Sequence, residues 1–391
     1  TSNFIFSWTG VASFSFEGIT VVSQTTNRMV LRMNAATGNV AININSVDAT
    51  NPPKNMSLVL EQHQNTTGHF NPDFLTEMRK YSCIRFMDWQ GTNYNRSAVS
   101  MDKDFVSIDN MPTILSQDEP SNMMQDNNSL PLDLMIDLCN ITNTDAWFCI
   151  NVNATSTYVD KFLTVVKAKL NPTLKAYIEF SNEVWNTMFP QYTLVGNAGD
   201  GDPHEKHMTA FALKSADLAV KTRAILGSNG ISVLGAQSPA TWWMNNLCEI
   251  IKASGKVLPD VIATAPYFGS GIPDNTTCFD NGSLLNAATS TAVGGIINDI
   301  RVGKEIARKN NMKLVCYEGG SHLIPGTVVN RDARFEAVYK AHLDAVKAAL
   351  GGELFCHYAF ISVYGQSGAW GESEYLYNMN TPKARAVKAA M

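Results

Sequence analysis

Tyr177-Ile-Glu-Phe-Ser-Asn-Glu-Val-Trp-Asn186 reads as a short buried strand, Ala176 to Phe180, that runs straight into a polar Asn182-Glu183 pair with an indole, Trp185, close behind. Near-continuous apolar strands of this kind belong to parallel sheets whose two faces are both covered by helices. Outward from this stretch the same rhythm repeats. Apolar runs at Ser57–Glu61, Cys83–Met87, Ala146–Asn151, Ser232–Ala236, Val261–Ala265, Lys313–Tyr317 and Cys356–Ser362 predict further strands. Between them, apolar residues spaced by three and four predict helices over Pro72–Tyr81, Pro131–Leu138, Tyr158–Leu170, Met208–Leu226, Thr241–Ala253, Ala292–Asn310 and Arg334–Leu350, with a last helix over Thr381–Ala390. With Ala176–Phe180 as the fourth, these are eight strand-and-helix units, the number that closes a (β/α)8 barrel. A doubly wound open sheet is the structural alternative, but no Gly-x-Gly-x-x-Gly follows any strand.

The segment before Asn51 is built differently. Phe4–Trp8, Ala12–Phe16, Arg28–Arg32 and Val40–Ile44 are short runs, several alternating, separated by Gly, Asn and Thr, and they predict antiparallel strands. Asn51-Pro-Pro53 breaks that pattern. The expected organisation is therefore a β-rich unit over 1–52 and a barrel over 53–391. One connection, Trp89 to Ser129, is long and lacks periodicity. It follows the second strand, so it is expected to wall a cleft at the carboxyl ends of the strands.

Composition excludes several classes. The chain of 391 residues is 45% hydrophobic and 17% charged with a net charge of -5, and it has no Lys/Arg cluster. This excludes disorder and a nucleic-acid surface. No apolar run reaches the length of a membrane span. No charged-then-apolar leader is read at Thr1, so any export signal is expected to lie outside this sequence. Sequons begin at Asn55, Asn65, Asn95, Asn127, Asn140, Asn153, Asn275 and Asn281, and the expectation is a secreted, N-glycosylated protein. The 7 cysteines show no zinc spacing, and one bridge, Cys248–Cys278, is a candidate. Cys83, Cys149, Cys316 and Cys356 fall in predicted strands and are expected to be buried free thiols.

The polar residues at the predicted strand ends are the candidate site, because barrels of this class carry their chemistry there. The second strand supplies Arg85, Asp88 and Trp89, the fourth Asn182, Glu183 and Trp185, and the fifth Gln237. The sixth supplies Tyr267, the seventh Glu318 and His322, and the eighth Tyr364 and Trp370. Glu183 and Glu318 lie on nearly opposed strands. A pair of carboxyl groups roughly 5–5.5 Å apart is what retaining glycoside hydrolysis requires, one as acid and one as nucleophile. Arg85 and Tyr267 are expected to hold Glu318 ionised. Asp88 stays open between contacting substrate and pairing with Arg85. Trp89, Trp185 and Trp370 are candidate sugar platforms; of Trp242 and Trp243, one is expected to face the cleft and the other to pack.

Asn182-Glu183 and Glu318 together resemble the signature of the large clan of retaining (β/α)8 glycoside hydrolases that includes many cellulases, mannanases and xylanases. The resemblance implies that Glu183 is the acid/base, that Glu318 is the nucleophile and that Asn182 binds the sugar 2-hydroxyl. Phe70-Asn-Pro-Asp-Phe-Leu75, Ile84-Arg-Phe-Met-Asp-Trp89, Thr92-Asn93 and Ile178–Asn186 are also similar to bacterial and marine proteins described only as carbohydrate-binding, over roughly Asn51 to Tyr375.

The function expected is endo-acting hydrolysis of a β-linked polysaccharide of β-glucan, mannan or xylan type, by a monomer that needs no cofactor or metal. A carbohydrate-binding barrel without turnover is the alternative. Glu179 is read as a structural residue. His204-Glu-Lys-His207 has the wrong spacing for zinc and is expected to be a solvated helix start. The absence of Gly-x-Ser-x-Gly weighs against a serine hydrolase.

Overall fold

A computed structural model describes residues 2–34, 40–93, 130–238 and 240–391. The chain divides into two compact units, Thr1–Thr76 and Glu77–Met391. The first is built of strands β1 (Asn3–Thr9), β2 (Ala12–Glu17), β3 (Ile19–Thr25), β4 (Arg28–Met33), β5 (Ala41–Val47) and β6 (Lys54–Leu60). They form an antiparallel sheet in the order β3-β4-β1-β6 and a second pair, β2-β5. Phe4, Phe6 and Trp8 alternate along β1, so all three point to one face, where they meet Met29, Leu31, Phe14 and Phe16.

One expectation is corrected here. The run Ser57–Glu61 does not begin the barrel; as part of β6 it pairs antiparallel with β1, Val59 opposite Ile5 and Leu58 opposite Phe6. Its side chains explain why: Met56 is 42% and Leu58 43% exposed, whereas a barrel strand is buried on both faces. The amino-terminal unit thus continues past the Asn51-Pro-Pro53 break. β3 was not legible as a strand, because most of its residues are exposed and carry no inward stripe.

The second unit is a curled, near-closed parallel sheet surrounded by helices, the (β/α)8-type barrel that the sequence predicts. Its strands are β7 (Cys83–Arg85), β8 (Asp145–Ile150), β9 (Ala176–Phe180), β10 (Gly230–Gly235), β11 (Val261–Thr264), β12 (Tyr267–Phe268), β13 (Lys313–Cys316) and β14 (Gly320–Ser321). The main sheet runs β7-β8-β9-β10-β11-β13, every pair parallel, and Cys316 bridges in parallel to Phe355 at the position of a last stave. β12 and β14 make a short parallel extension.

Alternation separates the two faces of each stave. Trp147 and Cys149, Val233, Val261 and Ala263, Val315 and Tyr317 share one interior cluster, against which Cys83, Tyr177, Cys356 and Tyr358 pack. Period two then places Arg85, between Cys83 and Met87, and Glu179, two beyond Tyr177, on the same inner face. The opposite face meets helices, as Phe148 does with Phe162 and Phe180 with Phe211. The helix Pro203–Leu226 begins earlier than its periodicity predicts, because Asp202 and Glu205 form a capping box around Pro203.

All seven cysteines are free. Cys248 lies on the buried side of the helix Thr241–Ala253, while Cys278 belongs to another core with Leu284 and Phe335, so the candidate bridge between them does not form. Among the described residues no helix is long and apolar enough to cross a membrane. The expected cleft wall falls largely on 94–129, outside the described residues, as do the sequons at Asn95 and Asn127.

Candidate active site

β9 ends at Phe180, and the backbone then turns through Ser181 at φ 59° and Glu183 at φ 40°. Both are left-handed conformations that cost an L-residue energy, and the surrounding bonds hold them. Ser181 N–H donates to the Ile150 carbonyl at 2.7 Å, continuing the ladder with β8. Gln191 Nε2 donates to the Asn182 carbonyl and to Asn93 Oδ1, both at 2.7 Å. His207 Nε2 donates to the Val184 carbonyl at 3.0 Å. His207 is buried, which corrects the expectation that the whole His204–His207 segment is solvated.

This scaffold presents Glu183 with two donors. The Tyr317 hydroxyl donates to Oε1 at 2.9 Å, and Asn186 Nδ2 donates to Oε2 at 3.0 Å. β13 runs directly into Tyr317-Glu318, so the strand end that presents Glu318 also supplies the hydroxyl that binds Glu183. Glu318 is 6% exposed. Burial pushes its carboxyl up to about 8; Arg85 opposes the rise, and Glu183, Glu179 and Asp88 add to it. Arg85 thus pulls Glu318 in the expected direction, against the effect of burial.

That pull is limited by where the guanidinium is used. Arg85 Nε and Nη2 donate to Glu179 Oε2 at 3.2 and 2.8 Å, and Nη2 also donates to Asn182 Oδ1 at 2.9 Å. Only Nη1 faces Glu318, at 3.7 Å from Oε2, beyond hydrogen-bond range. Asn182 completes the link by donating Nδ2 to Asn93 Oδ1 at 3.0 Å. Glu179, Asn93, Tyr317, Asn186, Gln191 and His207 are thus parts of the site that were not among the expected residues. The first gave a signal, a charged residue inside an apolar strand, and Asn93 and Asn186 fall in stretches that carry the resemblance.

The remaining expected residues divide. Tyr267, His322 and Trp370 come together, with ring centroids 5.8 Å (Tyr267–His322), 5.7 Å (Tyr267–Trp370) and 5.0 Å (His322–Trp370) apart. Tyr358 joins them 6.0 Å from Trp370. Burial lowers the His322 pKa, with Glu183 opposing. A cavity of 270 Å³ lined by Ser270, Gly271, Ile272, Pro273, His322 and Ile324 adjoins this aromatic wall. Trp185 instead packs against Phe211, Trp243 and Tyr317. Trp89 packs on Phe86 at 5.6 Å. Gln237 and Asp88 are exposed at their strand ends. Tyr364 is buried, and its hydroxyl donates to the Gly371 carbonyl at 2.9 Å, so it braces the last loop. Trp243 is buried at 1%, the packed member expected of the pair, and Trp242 is exposed at 52%.

No group of His, Cys, Asp or Glu among the described residues is arranged to hold a metal ion. The site offers two carboxyl groups in unequal surroundings, one buried and one served by two donors, beside an aromatic wall. Such an inequality is what divides acid from base work between like groups.

Compared by sequence, the chain matches no family model and no curated protein. Compared by fold, it is similar to AbfB, a family 51 α-L-arabinofuranosidase from Bifidobacterium longum, with a TM-score of 0.51 and 13% identity over 82% of this chain and 66% of that one. It is likewise similar to a monomeric β-xylosidase from Caulobacter crescentus, at 0.50 and 14% over 81% and 62%. CelM2, a bifunctional glucanase-xylanase from a metagenome library, matches at 0.50 and 10% over 82% and 74%. The chain spans less than two thirds of the length of the first two. What the chain shares with these proteins is the (β/α)8 barrel fold.

Proposed function

We propose that this protein is a retaining glycoside hydrolase that cleaves a β-linked polysaccharide internally. The observation that supports the reading is that Glu183 accepts from Tyr317, the chain neighbour of Glu318, while Arg85 lies between Asn182 and Glu318. In the first step the Glu183 carboxyl gives its proton to the glycosidic oxygen as the bond to the anomeric carbon breaks. The Glu318 carboxylate attacks that carbon and forms a glycosyl ester. In the second step Glu183, now ionised, takes a proton from water, whose oxygen displaces Glu318. No cofactor enters either step. Trp370 and Tyr267 offer faces on which a sugar ring stacks.

Productive chemistry requires Glu318 ionised and Glu183 protonated, whereas burial favours the proton on Glu318. Activity is therefore expected to rise with pH as Glu318 loses its proton. Secretion and N-glycosylation are proposed on the sequons; a mass decrease on enzymatic deglycosylation of protein from a eukaryotic host tests them.

The test of function is a panel of β-glucans, mannans and xylans incubated with wild type, Glu183→Gln and Glu318→Gln. Internal cleavage by the wild type, with product first released in the β configuration, is expected. First release of the α configuration sinks retention, and tight binding of a polysaccharide with no turnover favours the non-catalytic alternative.

A further inference from the structure

Glu179 is 2% exposed and lies on the inner face of β9, four residues before Glu183. Three side chains converge on its Oε2: Arg85 through Nε and Nη2, Trp147 Nε1 at 2.8 Å and Cys149 Sγ at 3.4 Å. A purely structural buried acid needs only to be satisfied. This one does more, because its main partner, Arg85, also turns its remaining nitrogen towards Glu318, 3.7 Å from Oε2, where its charge opposes that group's proton affinity. Two hydrogen bonds fix the guanidinium edge-on to Glu179, and a third nitrogen is left 3.7 Å from Glu318.

We infer that Glu179 is a positioning residue that governs the ionisation of Glu318 by holding Arg85 and sharing its charge. The inference rests on the reading of Glu318 as the nucleophile. Glu179 adds its own negative charge near Glu318 and keeps the guanidinium from closing onto it. Both effects favour a proton on Glu318. The other groups facing Glu318 are Asp88 beyond β7, Cys149 on β8, Glu183 beyond β9, Tyr267 on β12, its neighbour Tyr317 and Tyr358 on the last stave. None of them binds Arg85 through two nitrogens, so Glu179 is the group through which the cation is held back.

The experiment is a pH titration of the Glu318 side-chain carboxyl carbon by NMR in protein labelled at glutamate, the signal being assigned by its loss in Glu318→Gln. This readout does not depend on turnover, so failure of the glycosidase reading and failure of this one are distinguishable. Glu179→Gln keeps the shape and removes the charge; the Glu318 midpoint is expected to fall by about one pH unit or more. The ascending limb of kcat/KM should move with it. Glu179→Asp, which keeps the charge, is expected to stay close to the wild-type midpoint. An unmoved midpoint in Glu179→Gln, whatever its kcat, overturns the inference and leaves Glu179 a structural residue. If Glu179→Gln does not fold, Trp147→Phe carries the test. Loss of that donor leaves Glu179 to draw harder on Arg85, so the Glu318 midpoint should rise, and a fall or no change overturns the inference.

Discussion

Tyr317 and Glu318 are adjacent in the chain, yet the tyrosine hydroxyl binds the other carboxylate, Glu183, at 2.9 Å. On the proposed mechanism this bond orients the Glu183 carboxyl towards the reacting bond. Tyr317→Phe is expected to lower kcat about tenfold, with steady-state kinetics as the check; an unchanged kcat removes Tyr317 from the mechanism. Glu183→Gln should cost about 10²–10⁴ in kcat, more on substrates with poor leaving groups, and full turnover on such a substrate excludes Glu183 as the acid. Glu318 has a signature in stability as well. Its folded pKa is raised from 4.5 to about 8, so between those values the folded state holds a proton that the unfolded chain has released. Stability is then greatest below the unfolded value and falls as pH rises towards 8. Glu318→Gln abolishes that fall and should gain on the order of 1–3 kcal/mol over wild type between pH 5 and pH 8 in chemical denaturation. Parallel pH profiles of the two proteins would falsify the assignment of the shift to Glu318.

The elements that hold these residues were unequally legible. β8 and β9 are buried along nearly their whole length, and an uninterrupted apolar run has few other uses. β6 was misassigned because a short, half-exposed run can close either sheet, and only its partner decides. The candidate acids were readable because strand ends are where chemistry is carried. Arg85's preference for Glu179 over Glu318 was not readable, since it depends on side-chain rotamers across two staves. Tyr364 and Trp185 were misjudged for a related reason: an aromatic next to a strand end looks alike whether it lines the cleft or packs beneath it. The segment after Glu318 shows how closely the elements constrain one another. Gly320 adopts φ 137° as β14 pairs with Tyr267, and a Cβ there would collide with the Tyr339 hydroxyl. Gly320→Ala is expected to cost about 1–3 kcal/mol and to lower the thermal midpoint, whereas an unchanged midpoint would show that β14 yields without cost.

At the scale of the whole molecule, the thiols and the sequons bear on where the protein works. Five of the seven cysteines are buried and two, Cys83 and Cys356, are partly so. A thiol reagent should label few sites on the native protein and all seven after unfolding without reductant; five would reveal a disulfide. Of the sequons, Asn140 is already engaged, donating Nδ2 to the Lys169 carbonyl at 2.9 Å and accepting from Asn171 N–H at 2.8 Å. A glycan on that nitrogen would take one of its two hydrogens and crowd the Lys169 carbonyl, so Asn140 is expected to be modified poorly in a glycopeptide map. The left-handed backbone at Ser181 and Glu183 reaches further than the site. Glycine occupies such conformations freely, so Glu183→Gly relieves the strain of that turn by about 1 kcal/mol, offset in part by the buried Tyr317 hydroxyl it leaves without an acceptor, and on the proposed mechanism it removes the acid. A screen for thermal tolerance alone would therefore drift towards discarding the acid, and any effort to toughen this barrel has to select for turnover at every round.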